Sequence, residues 1–553
     1  MTARRLVFAA ANLLIYVALL TALSHALGPS WLRPVLLACA AAVLPWYVLG
    51  LTNGTIGLVR LLRPPAPPPW ADAPITARTA VVMTVRNEDP ARAIARLRII
   101  ADSLTATGAD DAFGYALLSD TDKPVIAAEE HTLMQAWQRE APDADRIRYR
   151  RRTDNAGFKA GNIMEFCRNH AAGFELMVVL DADSLMSGPA ILHLVRMMQA
   201  QPRIGIVQSL VTGLPSPSPF ARLFQFGMRH GMRSYTVGQA WWTGDCGPFW
   251  GHNAIIRIAP FRQHCELPVL PGTPPLGGPI LSHDQVEAAL IRRAGWEVRL
   301  QPVAGGSWED NPPTLPDYIS RDLRWCQGNL QYLRLLGLRG LRPVSRFQLL
   351  WAILMFVGLP AFTLLLVLLP LAGATLRPAH PGWLATLYGV FVLIDLWPKL
   401  VGYCHTATCR RRLERYGGPV RFLAGVAAET VFAWLKTAIT TLHTTAFMVA
   451  LCRGRGARWT AQRRDATRVS WSEAARMFWP HTLFGVLLHA ALLLVSPTLL
   501  VIALPYTLGS LVTIPFAALT ANRQIGAWCV RHGMCATPEE RDPPPEVARL
   551  LRR

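Results

Sequence analysis

Two kinds of hydrophobic pattern divide the chain. Long, nearly unbroken apolar runs occupy both ends, and short apolar runs punctuated by polar turns fill the stretch between them. Leu6 to Leu27 and about Val35 to Val59 are the first long runs, each close to the roughly 20 apolar residues that a helix needs to cross a bilayer. Arg4 and Arg5 precede the first, and Arg60 and Arg63 follow the second. Positive charge at both ends predicts a hairpin of two spans over 1–63 with both ends cytoplasmic. The first run has no small-residue cleavage signature and reads as an uncleaved anchor. Pro64 to Pro74 then forms a stiff, proline-rich linker within 64–75.

From 76 to 335 the pattern changes to strands alternating with helices. Ala80 to Val85, Phe113 to Leu118, Ile147 to Arg151, Met177 to Leu180, Ile204 to Gln208 and a run near Trp250 to Ile256 are the candidate strands. Such alternation predicts an α/β domain with a mostly parallel sheet covered on both faces.

Past 335 the chain returns to apolar runs, and residues 336–520 read as a second membrane block of four to five spans. Leu349 to Leu371, about Leu387 to Tyr403, Leu483 to Val495 and Leu499 to Leu519 are the spans, and a basic tail over 521–553 returns to the cytoplasm. Phe422 to Leu451 is harder to place, because the stretches on either side of it, His405 to Arg421 and Arg453 to Arg468, are both basic. It is too short to cross twice at roughly 20 residues per crossing. Glu429, Lys436 and His443 recur at intervals of seven and share one helical face. The segment is therefore expected to be an interfacial or re-entrant helix under the soluble domain, giving six spans; a crossing would make seven and move the tail outside. Asp395 and Lys399, four apart in the fourth span, should face a bundle interior or a watery path. Lys399 has the alternative of reaching the nearby surface.

Composition agrees with a membrane protein. The residues are 51% hydrophobic, and the mean hydropathy is +0.24. Lys and Arg number 56 against 36 Asp and Glu, a net charge of +20, which in a soluble protein would suggest nucleic acid. Here much of the excess flanks apolar runs, and the Arg150-Arg151-Arg152 run lacks interleaved stacking aromatics, so a lipid bilayer and no nucleic acid is the reading. Ten cysteines without a Cys-x-x-Cys suggest neither a disulfide scaffold nor a zinc site.

The candidate chemistry lies at strand ends. Met177 to Asp183 is a buried-strand run that ends in Asp181-Ala182-Asp183, and ligands of open α/β sheets bind beyond the carboxyl ends of strands. Paired carboxylates there suit a hard divalent cation that completes its shell with substrate phosphates, as in a nucleotide diphosphate. A polar turn is the plain alternative. Asn87 and Glu88, and then Asp120, end two other strands in the same manner. Asp284 opens a later helix; Ser282 and Gln285 have capping-box spacing, so it also reads as a favourable first-turn acid. Thr314 can cap a helix on which Arg321, Arg324 and Trp325 share one face. That face suits a sugar beside a phosphate, or equally a core or ion-pair stripe.

Asp120, Asp181-Ala182-Asp183, Asp284 and Arg321-Asp322-Leu323-Arg324-Trp325, in that order and between membrane runs, resemble the processive family 2 glycosyltransferases, which include cellulose and hyaluronan synthases. Ser282-His283-Asp284, Val286-Glu287-Ala288-Ala289-Leu290, Trp250-Gly251-His252-Asn253-Ala254 and Arg324-Trp325-Cys326-Gln327-Gly328-Asn329-Leu330 look like the glucans biosynthesis glucosyltransferase H family in particular. The resemblance spans about Leu6 to Arg523. Long members carry a sizeable cytoplasmic region before the first span, where five residues stand here, so functions housed in that region are not carried over.

What the resemblance implies is a GT-A domain set between transmembrane helices of the bacterial inner membrane, with that domain cytoplasmic. The implied activity is polymerisation of glucose from UDP-glucose into the β-1,2-linked backbone of osmoregulated periplasmic glucans, with inversion, and with translocation of the growing β-glucan. By carry-over, Asn87, Glu88 and Asp120 hold the nucleoside, with Lys159 and Asn162 as further nucleotide contacts. Asp181 and Asp183 hold Mg²⁺ or Mn²⁺. Asp284 is the general base, Arg321 and Arg324 steady the pyrophosphate, Trp325 stacks on the acceptor, and His252 and Asn253 are acceptor contacts, though a structural histidine fits His252 as well. Acyl carrier protein is associated with the family, but the chain has no recognisable docking motif for it. A synthase of β-1,4 or β-1,3 polymer is the alternative enzyme, and a nucleotide-sensing glucan transporter is the non-catalytic one.

Overall fold

The computed structural model describes residues 1–457 and 468–552. Among the described residues ten strands form two sheets: β1 (Thr79–Val85), β2 (Phe113–Ser119), β3 (Ile147–Arg151), β4 (Leu176–Asp181), β5 (Leu185–Met186), β6 (Ile204–Ser209), β7 (Thr212–Gly213), β8 (Ala254–Arg257), β9 (Glu297–Gln301) and β10 (Ser307–Glu309). The large sheet has the order β3-β2-β1-β4-β8-β6-β9, and a small one has the order β5-β10-β7. All neighbours in the large sheet are parallel except β8, which runs antiparallel between β4 and β6. Alternate residues of the central strands feed two separate cores. Val81, Met83, Val178 and Leu180 face one, while Ala80, Val82, Met177 and Val179 face the other. A strand buried on both faces has no polar positions to alternate with, which is why these runs are continuously apolar. The mixed, mostly parallel sheet with helices on both sides is the GT-A architecture.

Six helices among the described residues are long and apolar enough to cross a membrane: Thr2–Ala26, Arg33–Leu62, Pro343–Thr375, Pro381–Ala407, Pro419–Cys452 and Trp471–Val495. Pro497–Leu511 and Thr513–Thr520 make a further pair bent by 62°. The protein is thus built as a polytopic membrane protein. At one end of this bundle Arg5 pairs with Asp245, which Arg292 of the α/β domain also pairs. At the opposite end the connection after the first helix meets that after the third long one, where His380 N donates to Ala26 O at 3.4 Å.

Pro419–Cys452 follows a different course. It is a single helix of 34 residues whose contacts with the α/β domain recur along its length. Phe432 packs with Leu315 and Ile319, Lys436 lies 4.5 Å from the Tyr318 ring, and Leu451 joins Leu330 and Leu270. Ala457 N, just beyond its end, donates to Gln327 Oε1 at 2.7 Å. The same helix also meets three other long helices, through Lys399, Thr363 and His481, and is itself long and apolar enough to cross a membrane. The basic stretch that follows, Arg453 to Arg468, falls largely outside the described residues.

The seven-residue face divides among three partners: Glu429 accepts from Lys399 at 2.5 Å, Lys436 Nζ donates to Tyr318 Oη at 3.3 Å, and His443 meets His481 at 3.1 Å. Lys399 thus turns to Glu429 and into the protein, rather than reaching toward the surface. Asp395 has Tyr506 Oη at 3.5 Å. The helix expected from Leu483 begins at Trp471, because Ser470 caps it by accepting from Glu473 N at 3.2 Å, and it continues through Pro480.

Candidate active site

The strand β4 ends at Asp181, and buried Asp183 follows two residues on. Asp181 pairs with Lys159, and His252 Nδ1 lies 3.8 Å from its other oxygen. Lys159 Nζ also donates to Gly251 O at 2.7 Å. Gly251 stands at φ +83°, and a Cβ there would come within 3.4 Å of Asp284 Cβ and 3.7 Å of Asp284 Oδ2. Asp181, Lys159, Gly251 and Asp284 are thus linked contact by contact, although about a hundred residues of chain separate the two acids. Glycine suits this position because φ +83° is a backbone conformation that other residues rarely adopt.

Asp284 starts the helix Asp284–Arg293, whose cap position is His283 rather than Ser282. The capping box suggested by Ser282 and Gln285 does not form. Ser282 O instead accepts from Tyr332 Oη at 2.8 Å. His283 Nδ1 pairs with Glu287 at 2.8 Å, and burial pushes the Glu287 carboxyl up even though His283 draws it down. Asp284 keeps one short internal contact, Gln285 N to Oδ1 at 3.0 Å.

His252 Nε2 meets Glu309 Oε2 at 2.8 Å, and Nδ1 sits 3.1 Å from Trp250 O. Burial opposes the charged imidazole, but the hydrogen bond and charge of Glu309, with Asp181 beyond, outweigh it and raise His252 to about 9. The site therefore holds a second cation beside Lys159. Asn253 is wholly buried, at φ +49°, and donates to Ser307 Oγ at 2.9 Å and Trp308 O at 3.2 Å. It ties β8 to β10, and the burial leaves it no surface for an acceptor sugar.

The nucleotide-side residues are largely engaged with one another. Arg152 grips Asp120 by two bonds, Nε to Oδ1 at 2.6 Å and Nη2 to Oδ2 at 2.9 Å. Asn87, at φ +57°, takes Thr121 Oγ1 as acceptor for its backbone N at 3.0 Å and donates to Asp122 Oδ1 at 2.9 Å. Glu88 folds back on Arg86 N. Asn162 is buried, accepts from Arg150 and has Leu118 O at 3.5 Å, which places it behind β2. Asn87, Glu88 and Asp120 thus line one end of the sheet, while Asn162 braces it.

On the helix Leu315–Gln331, Thr314 caps the first turn, with Asp317 N donating to its Oγ1 at 3.4 Å. The Arg321 guanidinium lies 4.8 Å from the Trp325 ring centroid, and Arg321 Nε has no partner among the described residues. Trp325 is about half exposed, at 48%. Arg321, Arg324 and Trp325 share a face, as the spacing predicts, whereas Asp322 turns the other way to Thr444 Oγ1 at 3.4 Å.

Among the described residues no three His, Cys, Asp or Glu side chains converge in a way that could hold a metal by themselves. Asp181 and Asp183 nevertheless fit a divalent ion bound together with a diphosphate. They supply hard oxygen donors, and the Asp181 side chain is 34% exposed.

A family profile described as glycosyl transferase family group 2 matches residues 176–397. The glucans biosynthesis glucosyltransferase H of Shewanella oneidensis is 36% identical over 536 residues, 94% of this chain and 74% of the relative. That of Xanthomonas campestris pv. campestris is 35% identical over 548 residues, 94% of this chain and 84% of the relative. The chain belongs to the glucans biosynthesis glucosyltransferase H family. It is a glycosyltransferase of glucan biosynthesis. Xylella fastidiosa has a member 37% identical over 489 residues, 85% of this chain and 77% of the relative. Among solved structures, a mannosyltransferase from Pyrobaculum calidifontis in complex with GDP-Man and Mn2+ aligns at TM-score 0.45 and 17% identity, over 68% of this chain and 97% of that one.

In this member of the family the sequence pointed to no role for Glu309, Arg152 or Gln208. Glu309 ends a three-residue strand too short to give a pattern. Arg152 stood in a basic segment without a named partner. Gln208 Oε1 accepts from Trp250 N at 2.7 Å, and its amide donates to His252 O at 3.0 Å, fixing the loop that carries Gly251.

Proposed function

We propose that this protein is an inverting, UDP-glucose-dependent β-glucosyltransferase that builds the β-1,2-linked backbone of periplasmic glucans at the inner membrane. The donor sugar class follows the relatives' name, while UDP, linkage and cellular side rest on the motif resemblance. The observation that carries the reading is the contact chain Asp181–Lys159–Gly251–Asp284, which puts a candidate base beside a candidate diphosphate site.

In this reading Asp284 accepts the proton of the acceptor hydroxyl as its oxygen attacks the anomeric carbon. UDP departs from the opposite face, so the α-linked donor gives a β-linked product. Lys159 and protonated His252 offset charge near the diphosphate, as oriented cations at a leaving group do. Asp181 and Asp183 would hold Mg²⁺ or Mn²⁺, which when bound neutralises the departing diphosphate. Arg321 and Arg324 orient phosphate oxygens, Trp325 stacks on the acceptor sugar, and Asp120, Asn87 and Glu88 border the nucleoside. The acceptor-bearing helix lies directly on Pro419–Cys452, next to the bundle, which supports release of the glucan through the helices.

The test is linkage and anomer analysis of the polymer made by the purified protein from UDP-glucose with Mg²⁺. A β-1,2 glucan formed with release of UDP is expected. A β-1,4 or β-1,3 product would replace the linkage, and no UDP release with any acceptor would contradict the reading.

A further inference from the structure

Where the helix Pro381–Ala407 meets the α/β domain, a cavity of about 910 Å³, counting its open mouth, has four arginines in its wall: Arg229, Arg233, Arg412 and Arg415. One acid, Glu539, faces them, and it is held by Arg229 through two bonds of 2.6 Å each. Arg233, Arg412 and Arg415 have no carboxylate within ion-pair distance among the described residues. Burial, together with the neighbouring Arg412, Arg229 and Arg415 charges, draws Arg233 below its usual range, with Tyr416 alone offsetting part of this. Three further buried atoms in or beside this wall, Arg412 Nε, His230 Nε2 and His405 Nδ1, have no hydrogen-bond partner among the described residues. Guanidinium groups crowded together without counter-charge cost stability, as do buried unpartnered donors. A chain that retains both has a site that an anion completes.

None of these residues belongs to the site of Asp181 and Asp284. We propose that this cavity is a binding site for a phosphate-bearing anion, its oxygens taken by Arg233, Arg412 and Arg415. Planar guanidinium forks match phosphate oxygens two at a time, which ammonium groups do not. The position also fits, because basic pockets beside membrane helices hold acidic lipid headgroups. Two sources offer the same chemistry: the headgroup of an anionic phospholipid and free phosphate. His230 turns Nδ1 to Phe226 O at 2.7 Å, which leaves Nε2 to accept from a hydroxyl of free hydrogen phosphate or of a glycerol headgroup.

The experiment uses the full chain in neutral detergent, titrated with phosphatidylglycerol and phosphatidylcholine by native mass spectrometry and with inorganic phosphate by calorimetry. Binding of phosphatidylglycerol but not phosphatidylcholine identifies the lipid source, and binding of inorganic phosphate identifies the free one. Either should weaken roughly tenfold or more in Arg233→Gln and in Arg412→Gln, since a hydrogen bond to a charged partner is worth at least that factor. Arg233→Lys should keep part of the binding, and Arg63→Gln, a helix-end arginine outside the cavity, all of it. Arg412→Gln, on the short helix Arg410–Glu414, carries the test alone if Arg233→Gln does not fold. The proposal is overturned if neither anion binds, or if both bind Arg412→Gln as tightly as the parent chain.

Discussion

At neutral pH His252 is a cation, because Glu309 lifts it from 6.5 to about 9. A shift of that size corresponds to about 3 kcal/mol favouring the protonated, folded site. Since the folded value is the higher one, this contribution is complete below about pH 6.5 and is lost as the pH rises through about 9. Donor affinity should therefore fall on an alkaline limb near pH 9. Glu309→Gln removes the partner that raises His252 and should move that limb at least one unit toward neutrality, as read from the pH profile of UDP affinity. An unmoved limb would detach His252 from the donor site. The strand ends bearing Asp120, Asp181 and Asp183 were legible in the sequence because parallel sheets bind ligands there. Glu309 was not, since its role comes from a long-range meeting with His252 that no local spacing encodes.

The two helices of the site share one apolar cluster, and a glycine sets how closely they meet. A Cβ at Gly328 would fall 2.2 Å from Ser282 Oγ and 2.9 Å from Ser282 N, so the helix Leu315–Gln331 rests directly on the turn that delivers Asp284. Gly328→Ala should push the two apart, at a cost of roughly 1–3 kcal/mol in stability for overpacking. Because Trp325 rides on one helix and Asp284 on the other, glucan synthesis should fall while UDP binding stays near that of the parent chain. Comparing thermal unfolding, UDP calorimetry and glucose incorporation checks this, and unchanged stability would disprove the contact. The same pair of helices marks where local sequence signals succeed and fail. Thr314 caps its helix as its position suggests. Ser282 has the spacing for a cap, but Tyr332 claims its carbonyl and Gly328 packs against its side chain, so tertiary packing overrides the local motif.

At the scale of the molecule, all the connections that meet the α/β domain lie at one end of the bundle. The C-terminal tail joins them there: Val547 is buried in the same core as Val81, and Glu539 holds Arg229. We propose that Pro419–Cys452 lies under the domain without crossing, so that the remaining long helices and the bent pair make six crossings and leave both termini on the domain's side. A reporter inserted within 458–467 should therefore read on the same side as one near Gly417, and opposite to one at 376–380. A reporter at 458–467 matching the 376–380 side would show that the helix crosses. Hydropathy alone would count Pro419–Cys452 as a span. The basic residues on both sides of it pointed the other way, because charge next to a membrane reports sidedness where apolarity reports only capacity. What the sequence could not show was the partners of its polar face, which sit on three different elements.

The account depends on Asp284 acting as the base beside a donor held by the Asp181 end of the sheet. The most direct measurement is UDP binding and glucan synthesis by purified Asp284→Asn. UDP affinity should stay near that of the parent chain while synthesis falls by roughly 10²-fold or more, the usual worth of a positioned base. An Asp284→Asn protein that polymerises glucose at the parent rate would contradict it.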